Sequence, residues 1–247
     1  MTTLPGKTAL VTGGSRGIGR AIAERLAAEG ASVVFSFLAA EREAAEVTAG
    51  VSAAGGVAHA VRADLGDPET ALRLYDEAER LIGPLDILVN NAGVAPQGLI
   101  ADLTGEDFDA VVRVNLTSPF MLIQQAARRM RSGGRIVNIS TMNTVLAGPG
   151  MAPYAASKAG LELLGKVAAF ELGSRQITVN AVLPGATDTD LWRQNNPDES
   201  SWSAVTQMTA LGRIGQPADV AAVVAMLAGP DGRWITGQCI RASGGLG

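Results

Sequence analysis

The stretch Tyr154-Ala155-Ala156-Ser157-Lys158 sets a phenol and an ammonium four residues apart. On a helix this spacing brings both side chains to one face, one turn apart. A tyrosine in water ionises only near pH ~10 and transfers few protons at neutral pH. A fixed positive charge beside it favours the phenolate and lowers that value, so the pair is a candidate acid–base device. Y-x-x-x-K also falls by chance on solvated helix faces, so its meaning depends on the elements that place it. A second segment, Thr12-Gly13-Gly14-Ser15-Arg16-Gly17-Ile18-Gly19, joins a short apolar run to a helical stretch. Glycines there let the backbone turn tightly and approach a pyrophosphate, while the helix N-terminus aims its N–H groups at the negative charge.

The surrounding elements alternate strand and helix. Short apolar strands are expected at residues 8–12, 32–36, 57–62, 85–89, 135–139, 177–182 and 238–241. Helical patterns lie between them at 18–29, 40–53, 68–81, 104–130, 154–172 and 218–227. Asp67 before Pro68 suits a helix N-cap, and Thr104 suits another. The pattern predicts an α/β fold: one Rossmann-type, doubly wound parallel sheet of about seven strands, with helices on both faces. No repeat or linker divides the chain, so residues 1–247 are expected to form one domain. Asp188 to Ser203 reads as polar and irregular, and a substrate flap is expected at about 188–215.

Composition narrows the function classes. The chain has 247 residues, 47% apolar and 18% charged, as a globular protein has. The net charge of −4 disfavours nucleic acid or an anionic membrane as partner. One cysteine, Cys239, cannot form an intrachain disulfide, and one cysteine with one histidine makes no zinc cluster. His59 is too far in sequence from Ser140 and Tyr154 to suggest a hydrolase triad and reads as a structural or surface histidine. Neither a signal peptide nor a bilayer-spanning run is visible, and a cytoplasmic protein is expected.

Taken together, the motifs resemble the short-chain dehydrogenase/reductase family. T-G-x-x-x-G-I-G at Thr12–Gly19 is followed by Asp64-Leu65, Asn90-Asn91-Ala92-Gly93, Asn115, Tyr154-x-x-x-Lys158 and Pro184-Gly185, in the family's order over nearly the whole chain. The resemblance implies a nicotinamide dinucleotide cofactor. Gly13, Ser15, Gly17, Ile18 and Gly19 would cradle it, Asp64 and Leu65 would bracket the adenine, and Asn91, Ala92 and Gly93 would lie along it. Pro184, Gly185, Thr187 and Thr189 would close over it, with Thr187 standing where the family often has isoleucine. No acid follows the second strand until Glu41, whereas Arg16 and Ser36 could take a 2′-phosphate, which points to NADP(H).

The resemblance makes Tyr154 the proton donor and has Lys158 lower its pKa and hold the ribose. Asn115 would bind a water leading to Lys158. The family's hydroxyl partner commonly lies thirteen residues before the tyrosine, which is Thr141 here rather than a serine; Ser140 is the alternative. Trp192, Trp202 and Met208 either line an apolar substrate pocket or anchor the flap.

The expected reaction is NADPH-dependent reduction of a carbonyl to a secondary alcohol, most simply on a 3-oxoacyl thioester or a ketone. The alternative is a free-ketone or polyol dehydrogenase of the same family, and a non-catalytic NADP(H) sensor is a further one. Arg128, Arg129, Arg131 and Arg175 form a candidate patch for an acyl carrier protein. By resemblance the protein should be a homotetramer, packing residues 104–130 and 154–172 across one interface.

Overall fold

The computed structural model describes residues 2–196 and 198–246. Seven strands form one parallel sheet: β1 (Thr8–Val11), β2 (Ser32–Phe37), β3 (Val57–Arg62), β4 (Ile87–Asn90), β5 (Arg135–Ile139), β6 (Thr178–Pro184) and β7 (Cys239–Ala242). Their spatial order is β3-β2-β1-β4-β5-β6-β7. The chain therefore winds outward one way from β1 and the other way from β4. This Rossmann-type, doubly wound arrangement opens a crevice between the C-terminal ends of those two strands.

Period-2 alternation sends side chains to two layers. Ala9 and Val11 pack with Ile22 and Leu26 of α1 (Gly17–Ala28), Val47 of α2 (Glu41–Ala53) and Val224 of α9 (Pro217–Ala228). Leu10, between them, joins Leu74 of α3 (Pro68–Ile82), Leu122 of α5 (Ser118–Arg129) and Leu161 of α6 (Ala152–Leu172). Asp67 caps α3 by accepting from Glu69 N at 3.1 Å. Thr104 and Asp107 form a reciprocal capping box at the start of α4 (Gly105–Val112). None of the described helices is long and apolar enough to cross a membrane.

Two expected elements differ. The helix predicted over 104–130 is interrupted by one π turn, Arg113–Thr117, between α4 and α5. The α-helical partner of the Asn115 carbonyl would be the N–H of residue 119, which is proline and has none. The segment after β6 is not irregular but forms α7 (Asp190–Asn195) and α8 (Glu199–Met208). Thr189 caps α7 by accepting from Trp192 N at 3.2 Å, and the Trp192 and Trp202 rings meet edge-on at 6.4 Å. These tertiary contacts outweigh the turn-forming composition of the Asn-Asn-Pro segment, whose Pro197 lies outside the described residues.

The arginine patch also fails as a docking surface for the site. Arg129 pairs with Asp76 and Glu79 and lies over the Tyr75 ring, Arg131 pairs with Asp86 at 2.9 Å, and Arg175 donates to the carbonyls of Ala127 and Met130. Three of the four are engaged by partners within the chain. The group sits at the N-terminal ends of β4 and β5, opposite the crevice.

Asp86 organises that opposite end. Its buried carboxylate accepts from Thr8 N and Thr8 Oγ1 at 3.1 and 3.0 Å and pairs with Lys7 and Arg131. Burial pushes its pKa up, but the hydrogen bonds from Lys7 and Thr8 outweigh this and hold it below the ordinary carboxylate value. The stability it contributes is thus present above the unfolded-state value of ~3.9 and is lost as pH falls through the lower folded value. Asp86→Ala is expected to cost about 3 kcal/mol at pH 7, read by urea unfolding, with the difference shrinking in acid. An equal difference at pH 7 and pH 3 would contradict this.

Candidate active site

The cradle begins with Thr12, at the end of β1. Its Oγ1 accepts from Asn91 N and Ala92 N, both at 2.9 Å, while Asn91 Nδ2 donates to Thr12 O at 2.8 Å and Gly13 O at 3.1 Å. The loop after β4 is thereby fastened to the glycine loop. Gly13 and Gly17 have φ of 67° and 55°, in the left-handed region that disfavours a side chain. A Cβ on Gly19 would stand 2.1 Å from Gly13 O and 2.4 Å from Asn91 Nδ2. Arg16, at the N-cap position before α1, supplies no side-chain cap, so the first-turn N–H groups of α1 are left uncapped where Gly17, Ile18 and Gly19 line the crevice. A glycine-built concavity ending on an uncapped helix fits the pyrophosphate of a dinucleotide.

A cleft of about 880 Å³ runs along the strand ends. Gly13, Ser15, Arg16, Gly17, Ile18, Gly19, Ser36, Asp64, Leu65, Asn91, Ala92 and Gly93 line one half. Ser140, Thr141, Tyr154, Lys158, Pro184, Gly185, Thr187 and Thr189 line the rest. Asn115 alone among the candidate catalytic and cofactor-binding residues does not line it. Ser36 is engaged differently from the expectation: it is buried, and its Oγ accepts from Gly13 N at 3.1 Å, so it braces the glycine loop. Arg16 projects into solvent with 63% of its side chain exposed, 3.8 Å from Asp190 of α7. Asp64 folds back to accept from Gly66 N at 2.8 Å. Thr187 is buried and donates to Gly185 O at 3.0 Å. Thr189 leans on the glycine loop, its methyl 3.3 Å from where a Gly17 Cβ would be.

At the other end, α6 lies close against the sheet because Gly165 has no side chain; a Cβ there would approach Asn138 Nδ2 to 3.0 Å. That approach buries Lys158, whose Nζ donates to Ile139 O at 2.8 Å. Burial pushes the Lys158 pKa down to about 8, against the opposing charge of Glu162. Tyr154 is half-buried. Burial pushes its pKa up, and the group that pulls it back is the Thr141 hydroxyl. The expected lowering by Lys158 therefore takes another form here: the ammonium is directed to Ile139, and a neutral hydroxyl faces the phenol.

The two hydroxyls are separated by the pleat. Ser140 Oγ donates to Glu162, whereas Thr141 faces Tyr154 and its Oγ1 accepts from Asn143 N at 3.2 Å. Asn115 is fully buried: Oδ1 accepts from Val94 N, and Nδ2 donates to Val94 O and Ser157 Oγ. Both Asn115 Oδ1 and Lys158 Nζ lie 3.3 Å from the Cβ position of Gly93. The side-chain amide expected to bind water instead holds the loop after β4.

The flap closes one side. Trp192, Val205 and Met208 line the cleft, and Trp202 meets Trp192 edge-on from outside it while donating to Asn196 O at 2.8 Å. Asn195 Nδ2 reaches Ala95 O at 3.3 Å across the cleft. Pocket lining and anchoring, left open by the sequence, are thus divided between the two tryptophans. The sequence reading overlooked Glu43, Thr12 and Glu162. Glu43 lines the cleft, and its carboxylate accepts from its own backbone N–H. Thr12 belonged to the glycine motif, and Glu162 follows Lys158 by one turn, which are the signals that could have found them.

Comparison with known proteins agrees with this geometry. The family model described as Enoyl-(Acyl carrier protein) reductase matches residues 13–247. Versicolorin reductase 1 of Aspergillus parasiticus is 42% identical, covering 98% of this chain and 97% of its own. The structure of a short-chain dehydrogenase/reductase from Serratia marcescens superposes with a TM-score of 0.94 at 42% identity, covering 99% of both chains. The angucycline C-6 ketoreductase LanV, solved with bound NADP, gives a TM-score of 0.93 at 43% identity over 99% of this chain and 96% of its own.

Proposed function

The chain belongs to the short-chain dehydrogenase/reductase family, and from that premise we propose that it reduces the carbonyl of a free, ring-borne ketone to a secondary alcohol. It is an NADP(H)-dependent oxidoreductase of C=O and CH–OH groups. The observation that carries the substrate reading is the Thr141 hydroxyl facing the Tyr154 phenol at the edge of an apolar cleft walled by Leu146, Met151, Trp192, Val205 and Met208. Such a wall suits a flat apolar body whose single polar point is the carbonyl. Relatives support a ketone substrate: LanV is named an angucycline C-6 ketoreductase, and another relative is versicolorin reductase 1.

When bound, NADPH supplies the hydride. Thr141 donates to the carbonyl oxygen and holds it beside Tyr154. Tyr154 passes its phenolic proton to that oxygen as negative charge develops, completing the alcohol. Lys158, fixed on Ile139 O one helical turn from Tyr154, lines the same cleft. Gly13, Ser15, Gly17, Ile18 and Gly19 form the pyrophosphate cradle, with Asp64 and Leu65 at the adenine end and Asn91, Ala92, Gly93, Pro184, Gly185, Thr187 and Thr189 along the remainder. Arg16 takes the 2′-phosphate, and Ser36 keeps the loop in shape. Residues 1–247 act as one domain.

A 3-oxoacyl thioester is the second reading, supported by the Leu211–Pro217 segment; the matching family model is described by an acyl-carrier-bound enoyl group, which shares the thioester and not the reducible carbonyl. An acyl carrier protein would then dock at the cleft mouth rather than on the arginine group. Four copies associating through α4, α5 and α6 fit the exposure of Phe108, Phe120 and Phe170, at 44%, 43% and 90%; light scattering reads that assembly.

The deciding assay follows NADPH and NADH oxidation with 2-tetralone, acetoacetyl thioester and crotonyl thioester. Turnover of the bicyclic ketone with NADPH well above both thioesters is expected. Arg16→Ala should raise the KM for NADPH about tenfold and leave NADH unchanged. Turnover of the acetoacetyl thioester alone would replace the ketone reading with the second one, turnover of the crotonyl thioester alone would overturn both, and equal use of both cofactors would remove Arg16 from the phosphate site.

A further inference from the structure

One turn beyond Lys158 on α6, Glu162 directs its carboxylate to the turn that follows β5. Its Oε1 accepts from the hydroxyl of Ser140 and lies 2.7 Å from Thr144 Oγ1. The same Thr144 hydroxyl lies 2.9 Å from Thr141 O, and its one proton favours the charged acceptor. Glu162 thus grips the residue before Thr141 and the residue that closes the Thr141 turn. It does not line the cleft, so it touches neither substrate nor cofactor.

The same carboxylate faces an electrostatic problem at Lys158. That ammonium is 3% exposed and donates to a neutral carbonyl, and among the described residues no ion pair reaches it. A buried ammonium without a compensating charge gives up its proton. Glu162 is the anionic group that acts on Lys158. The other titratable groups here are Tyr154 and Lys166 on α6 and Cys239 on β7, whose thiol pKa is pushed up by burial and by the Glu162 charge.

We propose that Glu162 is a positioning residue for the reaction: its carboxylate pins the Thr141 turn through two flanking hydroxyls, and its charge keeps Lys158 an ammonium. This rests on the reading of Tyr154, Lys158 and Thr141 given above. The two duties separate by substitution. Glu162→Gln keeps the volume and an acceptor oxygen but removes the charge; Glu162→Ala removes both.

The test compares pH profiles of kcat/KM for reduction in the full-length wild type, Glu162→Gln and Glu162→Ala. Removing a negative charge lowers the proton affinity of the coupled Tyr154–Lys158 pair at each step. The alkaline limb of Glu162→Gln should therefore move down by about one pH unit. Glu162→Ala should move it likewise and also lower kcat about tenfold, with NADPH affinity unchanged. A second readout needs no substrate. The chain has two tyrosines, Tyr75 and Tyr154, and burial holds Tyr75 far above the usual range. Ultraviolet titration of the tyrosinate band, with Tyr154→Phe as the blank, then follows Tyr154, and its transition should fall in Glu162→Gln. Superposable profiles and titrations for wild type and Glu162→Gln would overturn the proposal while Tyr154→Phe remained inactive. Full activity of Tyr154→Phe would overturn the underlying site reading instead. If Glu162→Ala fails to fold, Glu162→Gln still decides.

Discussion

Tyr154→Phe is expected to lower kcat for ketone reduction about 1000-fold, within the range for losing a positioned general acid. The substitution removes one oxygen and keeps the ring, so packing in the half-buried site is preserved. NADPH affinity, read by the change in cofactor fluorescence, should stay within about a factor of two, because the cradle of Gly13, Gly17 and Gly19 lies at the other end of the cleft. The pKa directions set the working form. Burial keeps the Tyr154 phenol protonated through neutral pH, with only the Thr141 hydroxyl opposing it. A protonated phenol is the form that carbonyl reduction consumes. Lys158, pushed down to about 8 by burial, loses its charge above that value. Reduction should therefore be level through neutral pH and fall as pH rises past about 8, where the ammonium is lost, whereas alcohol oxidation, which needs the phenolate, should rise only at higher pH. Retention of more than a tenth of wild-type kcat in Tyr154→Phe would mean that another group supplies the proton.

Gly19→Ala should weaken NADPH binding about 100-fold, the equivalent of about 2.7 kcal/mol. The added Cβ would lie 2.1 Å from Gly13 O and 2.4 Å from Asn91 Nδ2. The first obstacle is backbone, and Asn91 is held by bonds to Thr12 O and Gly13 O, so neither neighbour yields cheaply. Relief requires α1 to move away from the glycine loop, which withdraws its first-turn N–H groups from the pyrophosphate. Gly50→Ala is the control. Gly50 lies within α2, and nothing stands within 4 Å of its Cβ position. It should bind NADPH as wild type does and gain about 0.5–1 kcal/mol of stability from helix propensity. Isothermal titration of both variants decides; wild-type affinity in Gly19→Ala would show that the cradle tolerates a displaced helix.

Strands and helices were legible because their signals are local. Short continuous apolar runs and the caps Asp67 and Thr104 depend only on neighbouring residues, and the bounds read from them lie close to those of the structure. The glycine loop and the Tyr154–Lys158 pair were legible for the same reason, since φ preferences and the helical repeat convert spacing directly into geometry. Pro119 was legible too and went unread: its missing N–H leaves the Asn115 carbonyl without its α-helical partner. The sequence by itself therefore determined the doubly wound class, the cradle and the acid–base pair.

Partners across the sheet were decided only by tertiary structure. Ser36 and Gly13 are 23 residues apart in sequence, and Ser140 and Glu162 are 22. Whether Ser140 or Thr141 faces Tyr154 depends on the pleat of β5 and on how closely Gly165 lets α6 approach it. The arginines of α5 moved from candidate site to opposite pole once the strand order fixed which ends of β4 and β5 form the crevice. The Asn-Asn-Pro region became two helices because Trp192 found Trp202. Spacing along a chain specifies which way a side chain leaves its own element; what it meets there depends on the packing of elements distant in sequence.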